Sequence, residues 1–444
     1  MAENSRELIK ELEKARKNKD ITDWKIISHK INRVNVYVEK NFKIESELKS
    51  KRNDLEATVY KKVRNKLGES TFPVNDKKDI AKLIKDASVI SKNSIKQEYS
   101  LPSEQKKIKN VKLADPFIIK AFKDKKITYL LEKIIDLIKK EFRKHKGVKL
   151  NGMEFHTSVN NIEIINSKKI KQNQAKTRMY IELTITSFKG KKENEFLPYI
   201  TLNRLDDLNI KEFVKNNVET AKHILNSQPT KHYEGRIILN KDAVGEFFSP
   251  HLGLTPLVMH AAAKLKHMGL ARFEKNEKIS DYWKGEEITV SSNPFIPYNP
   301  ASNMFDNDGV NSKKLKLIDK GIFVDYFASK QYADYLNIEP TGALGIIEIK
   351  PGKKLSKDLM KDEFIEIVSF SSFVPNAISG DFAAEIRLAY HHKNGLKTPI
   401  KGGMFTGNVF DLIKNAYYSK ETKLVSGYKG PKVVSFEEGV IAGL

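Results

Sequence analysis

The chain has 444 residues, 40% of them hydrophobic, with no cysteine and a formal net charge of +23. That length exceeds one ordinary core and gives two domains as the prior, and the apolar content lies well above that of a disordered chain. The missing cysteine excludes disulfides and thiolate metal sites and suits a reducing cytosol.

The opening segment, MAENSRELIKELEKARK, is charged and lacks an apolar h-region, so no secretory signal is expected. No stretch approaches the ~18 apolar residues of a spanning helix. A cytoplasmic protein without membrane association is the expectation. A basic chain invites a nucleic-acid partner, because a positive surface attracts phosphate and releases counterions on binding. Here the excess is mostly lysine, dispersed along the chain and interleaved with acids, as in Lys191-Lys192 and Lys313-Lys314. Arginine, the side chain suited to bidentate phosphate and base contacts, is scarce. A generic lysine-rich surface is favoured over a nucleic-acid site.

In chain order, residues 5–18 predict a charged helix with Leu8, Ile9 and Leu12 as its stripe. Alternation from Val34 to about Val63 predicts antiparallel strands with one wet face. A turn is expected at Gly68. Asn75-Asp76 can cap a helix carrying Ile80, Leu83, Ile84 and Ala87. Gln97 to Lys109 reads as a loop. Ile127, Leu130, Leu131, Ile134, Ile135, Ile138 and Phe142 line a strong amphipathic helix. Residues 154–165 and 179–188 return to strand alternation, and a helix carries Ile210 to Leu225. Pro229-Thr230 breaks the pattern and sets the expected boundary between an N-terminal domain, 1–229, and a C-terminal domain, 230–444.

Beyond it, 235–239 reads as a strand, Asp242 as the cap of a short helix through Phe248, and Pro256 as the start of an Ala-rich helix through Leu265. After Phe273 short strands alternate with Gly, Pro and Asn. The fold class expected is α+β: a helix and antiparallel-sheet N-terminal domain followed by a β-rich C-terminal one.

Two Gly/Asp blocks stand out. One is Phe305-Asp306-Asn307-Asp308-Gly309-Val310, followed by a strand, an Asp319-Lys320-Gly321 turn and a second strand. The other is Gly380-Asp381-Phe382, followed in order by Asn394-Gly395, Pro399 and Gly407-Asn408. As residue types these are turn formers, and Asn-Gly is a strong hairpin signal, so a purely architectural role is favoured for each. A calcium loop ending at Asp308-Gly309 fails, because Met304 would stand at its first position and Leu315 where the bidentate acid belongs.

The order and spacing of these blocks resemble the TldD/PmbA family, over nearly the whole chain and best from about 230 to 415. Gly68 to Phe72 before its helix is similar to a further family passage, while Asp308 stands where Glu is more usual. The family's catalytic branch holds zinc on a His-Glu-x-x-x-His helix after the first strand of the C-terminal domain, with the Glu activating water. No such motif occurs here. The corresponding positions hold Ser249, Pro250 and His251, and the family's later Cys ligand has no counterpart.

The resemblance therefore implies the zinc-free PmbA (TldE)-like branch: no catalytic residue, metal or cofactor in this chain, and zinc in a TldD-like partner. The expected function is a non-catalytic subunit of a peptidase complex acting on unfolded peptides, paired with that paralogue or with itself. Two alternatives stand beside it. One is a homodimeric enzyme with an unrecognised site; the other is a binding protein acting on nucleic acid or a DNA-bound partner.

The histidines do not build a metal site on sequence grounds. His260 and His267 would lie roughly 10 Å apart along one helix, His391 and His392 would point to opposite faces of a strand, and His223 and His232 flank the linker without acids. No Gly-x-Ser-x-Gly elbow, phosphate loop or dinucleotide fingerprint is present.

Overall fold

The structure is a computed structural model that describes residues 3–74, 79–106, 110–249 and 254–443. The N-terminal part is a twisted antiparallel sheet built from β1 (Asp23–Glu39), β2 (Ile44–Val63), β3 (Lys66–Pro73), β4 (Ile95–Gln97), β5 (Val148–Asn166), β6 (Lys171–Lys189) and β7 (Lys192–Phe196). They run in the order β4-β3-β2-β1-β5-β6-β7, and β8 (Tyr199–Leu202) pairs with β6. Even-numbered apolar positions of β1 (Trp24, Ile26, Val34, Val36, Val38) all point to one face, as period-two geometry requires.

Helices cover that face. α1 (Glu3–Lys17) and α2 (Ile80–Ser91) pack Leu8, Leu12, Ile84 and Ala87 over Trp24, Ala57 and Val59. α4 (Ile127–Phe142) and α5 (Ile210–Asn226) pack their stripes over Phe155, Met179 and Ile181. α3 (Pro116–Lys123), absent from the sequence reading, starts at an Asp115 cap with proline in the first turn, a pre-organised start.

Three expectations need correction. Gly68 lies inside β3, opposite Lys61, because a Cβ there would overlap the Ser91 carbonyl at the end of α2; the chain turns at residues 64–65 instead. The Asn75-Asp76 cap lies outside the described residues, and the side chain that accepts from the first turn of α2 is Asp79. The far face of the sheet is not simply wet, because much of it is half-buried against C-terminal residues.

In the C-terminal part, β9 (Gln228–Pro229) leads to β10 (Tyr233–Leu239), α6 (Lys241–Phe248), α7 (Pro256–Met259), α8 (Ala263–His267), β11 (Val290–Asn293), β12 (Leu315–Asp319), β13 (Ile322–Phe323), α9 (Lys330–Leu336) and β14 (Ile346–Ile349). After α10 (Ser356–Leu359) come β15 (Phe364–Ser372), β16 (Asp381–Lys393), β17 (Leu396–Lys401), β18 (Met404–Asn408), α11 (Val409–Leu412), β19 (Ala416–Tyr418), β20 (Thr422–Val425), β21 (Tyr428–Pro431) and β22 (Val434–Ala442).

One sheet runs β15-β10-β22-β18-β16-β17-β9, and pairing of β15 with β16 closes its first five strands into a ring. A second sheet runs β13-β12-β11-β14-β21-β20. Between them lies a core rich in phenylalanine, including Phe247, Phe248, Phe370, Phe405 and Phe436. The Asn394-Gly395 hairpin joins β16 to β17 with both residues at positive φ, the geometry an Asn-Gly turn favours.

Two helix expectations differ. The short helix is capped by Asn240 rather than Asp242, with the Asn240 side chain accepting from the Lys241 N–H at 2.7 Å. The expected Ala-rich helix is broken at Ala262, which adopts an extended backbone and bridges to Phe327, leaving α7 and α8 as separate turns.

Candidate functional site

α6 follows the first long strand of the C-terminal ring, the place the resemblance gives to a zinc helix. Asn240 caps it and also donates to Glu366 at 2.8 Å, so the start of α6 is tied to β15. Its apolar side enters the core: Phe247 packs against Phe373, Phe382 and Phe436, and Phe248 stacks on Tyr428. The helix ends at Ser249, whose N–H donates to the Gly245 carbonyl at 2.8 Å. Its hydroxyl fills the space beside Gly427, where a Cβ would sit 2.5 Å from it and where φ is +80°. Pro250 and His251 lie outside the described residues.

The polar side of α6 carries Asp242 and Glu246, one turn apart and hence on one face. Burial, with Asp242 second, pushes the Glu246 carboxyl up to about 7, opposed by the Phe370 backbone N–H, Arg387 and Lys423. Burial also holds the Lys423 ammonium below the usual lysine value, with Asp242 and Glu246 acting the other way. Lys423 donates to the Lys241 carbonyl. Tyr199 reaches this group from β8 of the N-terminal sheet: burial, then Glu246 and Asp242, raise its pKa. Sequence reasoning missed this cluster. Its one sequence signal is the Asp242/Glu246 spacing, while Lys423, Arg387 and Tyr199 converge only in the fold.

As a donor, the Ser249 hydroxyl does not suit zinc, which is held by His, Cys or Asp/Glu side chains. Among the described residues no group of three or more His, Cys, Asp or Glu side chains is placed to hold a metal. The histidines are dispersed. His260 is bonded to the Ile378 carbonyl and the Arg272 N–H, and His267 packs against Tyr335. His391 pairs with Glu363 and His392 with Glu366, while His223 meets the Tyr390 hydroxyl.

The two motif blocks occupy different places. Phe305 is 3% exposed and packs against Ile164 and Ile170 of the N-terminal sheet and the turn after it. The Asp306 carboxylate accepts from the N–H groups of Asp308 and Val310, both at 2.9 Å. Asp308 pairs with Lys25 of β1 at 2.7 Å. Gly309 has φ +83°, and a Cβ there would lie 2.6 Å from Ile170. This block fastens the C-terminal domain to the N-terminal sheet and does not join the group around α6.

The second block lies under α6. Phe382 meets Phe247 at 6.2 Å, and Gly407 lies opposite it on β18. Gly380, at φ +86°, leaves room for Phe410. Asn408 donates to Asp381 at 2.8 Å and caps α11 through its oxygen.

Residues 232–443 match the family described as the PmbA/TldA metallopeptidase C-terminal domain. A zinc metalloprotease TldD homologue of Saccharolobus solfataricus is 23% identical over 242 residues, 50% of this chain and 52% of that protein. The chain spans about half the length of the curated relatives it matches. Among solved structures, a candidate modulator of DNA gyrase from Bacteroides thetaiotaomicron superposes with a TM-score of 0.80 at 17% identity, covering all of both chains. TldE from Thermococcus kodakarensis gives 0.77 at 21% identity, covering 98% of this chain and 100% of that one.

These likenesses place the two-part α+β fold beside that of the metallopeptidase-related TldD/TldE group. The C-terminal part of this chain, residues 232–443, is a domain of the PmbA/TldD family. Among the described residues no helix is long and apolar enough to cross a membrane.

Proposed function

We propose that this chain is the non-catalytic, TldE-like subunit of a zinc metallopeptidase complex, pairing with a zinc-bearing TldD-like paralogue, or with itself, in the cytoplasm and helping to enclose unfolded peptides. The observation that carries this reading is the end of α6, where Ser249 packs on Gly427 at the position the resemblance gives to a zinc ligand. Zinc and the water-activating carboxylate would then belong to the partner.

The test is reconstitution: the purified chain alone should hold no stoichiometric zinc after dialysis and cleave no unfolded peptide, and mixing it with the paralogue should restore cleavage. One tightly held zinc per chain, or cleavage by the chain alone, would overturn the reading.

A second reading, an enzyme in its own right, is favoured by Glu246, a buried carboxyl poised near neutrality beside Lys423, the condition that suits proton transfer. Glu246→Gln separates the two. As a subunit the variant should keep turnover in the complex within about tenfold, or roughly 1.4 kcal/mol of barrier. A hundredfold or larger loss in a folded, assembled variant would favour the enzyme.

A further inference from the structure

The far face of the N-terminal sheet carries a row of charge that the fold leaves unmatched. Arg33 of β1 pairs across the ladder with Ser158 of β5, and Ser158 pairs with Arg178 of β6. Directly opposed residues share a face, and strands lie ~4.8 Å apart, so the two arginines straddle the serine at ~10 Å between backbones. Both arginines are exposed. The arginine ion pairs among the described residues are made by Arg16, Arg52, Arg204 and Arg236, not by these two.

Positive charge continues along the same face. Lys176, two residues before Arg178, gives its ammonium to the carbonyls of Pro300 and Ser302 and to the Asn303 side chain, at 3.0, 2.7 and 3.0 Å. Burial, then Arg178, lowers its pKa to about 8. Of the acids on this face, Glu154 and Glu182 stand four residues farther along and are engaged by His156 and Tyr180, and Asp54 of β2, four positions the other way, pairs with Arg52. Asn35 and Asn160 flank the row on either side, and each has a buried amide oxygen without a hydrogen-bond partner.

We propose that the Arg33–Ser158–Arg178 row is a recognition site for the terminal carboxylate of an extended peptide. Two guanidiniums offer bidentate, charge-assisted bonds to a carboxylate, and the serine hydroxyl offers a third donor. A polynucleotide would have to pass Glu154 and Glu182.

From this row the peptide runs along the strands past His156 and Tyr180 to Tyr199, whose ring stacks on Tyr180 at 5.5 Å. Four strand positions, ~13 Å, separate the arginine row from the row of Glu154, Glu182 and Tyr199. That distance holds about four extended residues and ends beside Asp242 and Glu246 of α6.

The inference rests on the peptide-handling reading above. Its test is fluorescence anisotropy of the full chain with an N-terminally labelled, unstructured eight-residue peptide, supplied as the free acid and as the C-terminal amide. A labelled single-stranded oligonucleotide is run beside them. The free acid should bind at least tenfold more tightly than the amide. Arg33→Gln combined with Arg178→Gln should bring the acid to the level of the amide and leave the amide unchanged, while the double Lys variant should recover only part of the preference.

Equal binding of acid and amide, a preference that survives the double variant, or absence of peptide binding would overturn the proposal. So would oligonucleotide binding that alone depends on the two arginines. Equal binding alongside intact hydrolysis by the reconstituted complex sinks only the carboxylate site, whereas failure to form an active complex sinks the subunit reading.

Discussion

Asp306 shows how one side chain sets a pH dependence at the domain junction. Burial, then the neighbouring Asp308, pushes its carboxyl up to about 6 from an ordinary 3.8. A carboxyl whose pKa is raised by folding stabilises the fold below its unfolded value, and that contribution is lost as pH rises through the folded value. The loss therefore falls between about pH 4 and 6. Asn at this position keeps an oxygen for the Asp308 and Val310 N–H groups and removes the buried charge. Asp306→Asn should thus be more stable than the parent at pH 8, by roughly 1–2 kcal/mol, with the gain gone near pH 4. Urea midpoints at the two pH values decide it; a destabilised variant at pH 8 would refute the assignment. Lys25 nearby behaves differently. Burial works against its charge, yet Tyr60 and Asp308 hold its pKa above the usual lysine value, so that the ammonium stays charged across this range.

At the scale of elements, long amphipathic helices and alternating strands were legible because their periodicity follows from burial on one face: α4, α5, β5 and β6 sit where Leu131, Val218, Phe155 and Ile181 predict. What was not legible depended on contacts made at a distance. Gly68 carries a turn residue's identity, yet it serves a close approach between β3 and the end of α2, which no local pattern reveals. Gly68→Ala should therefore cost roughly 3 kcal/mol or more, near the upper range for overpacking, where a surface turn glycine at ordinary φ would tolerate the change. Thermal melts check this, and a shift under ~1 °C would restore the turn reading. The break at Ala262 has a similar cause: the bridge to Phe327 outweighs the helix propensity of an alanine run. The cluster around α6 draws Tyr199, Arg387 and Lys423 from three separate strands, and the arginine row draws on β1, β5 and β6. Sequence separation hides both.

At the scale of the whole molecule, the Phe305–Gly309 block ties the two halves, with Phe305 packed against Ile164 and Ile170. Phe305→Ala removes a buried aromatic and should destabilise by roughly 3–5 kcal/mol. Since that ring seats the C-terminal part on Ile164 and Ile170, the variant should also separate one cooperative unfolding transition into two, seen as divergent fluorescence and circular-dichroism midpoints. Coincident midpoints with a shift under ~1 kcal/mol would show that the domains are held together elsewhere. The closing Asp-Asn and Gly-Phe contacts of the second block, by contrast, sit inside one domain, so Asn408→Ala should lower the stability of the C-terminal part without uncoupling the halves.

β22 lies between β10 and β18 in the closed ring, although residues 434–442 come almost two hundred positions after β10. During synthesis, β10 therefore waits for a neighbour that has not yet been made. At 5–20 residues per second the interval is roughly 10 to 40 s. The N-terminal sheet, whose strands are all complete by residue 202, can assemble in that time. The nascent C-terminal half meanwhile holds an unzipped strand rich in isoleucine and a set of phenylalanines with nothing to pack against. That window, and not the finished protein, is where chaperone dependence and aggregation should concentrate.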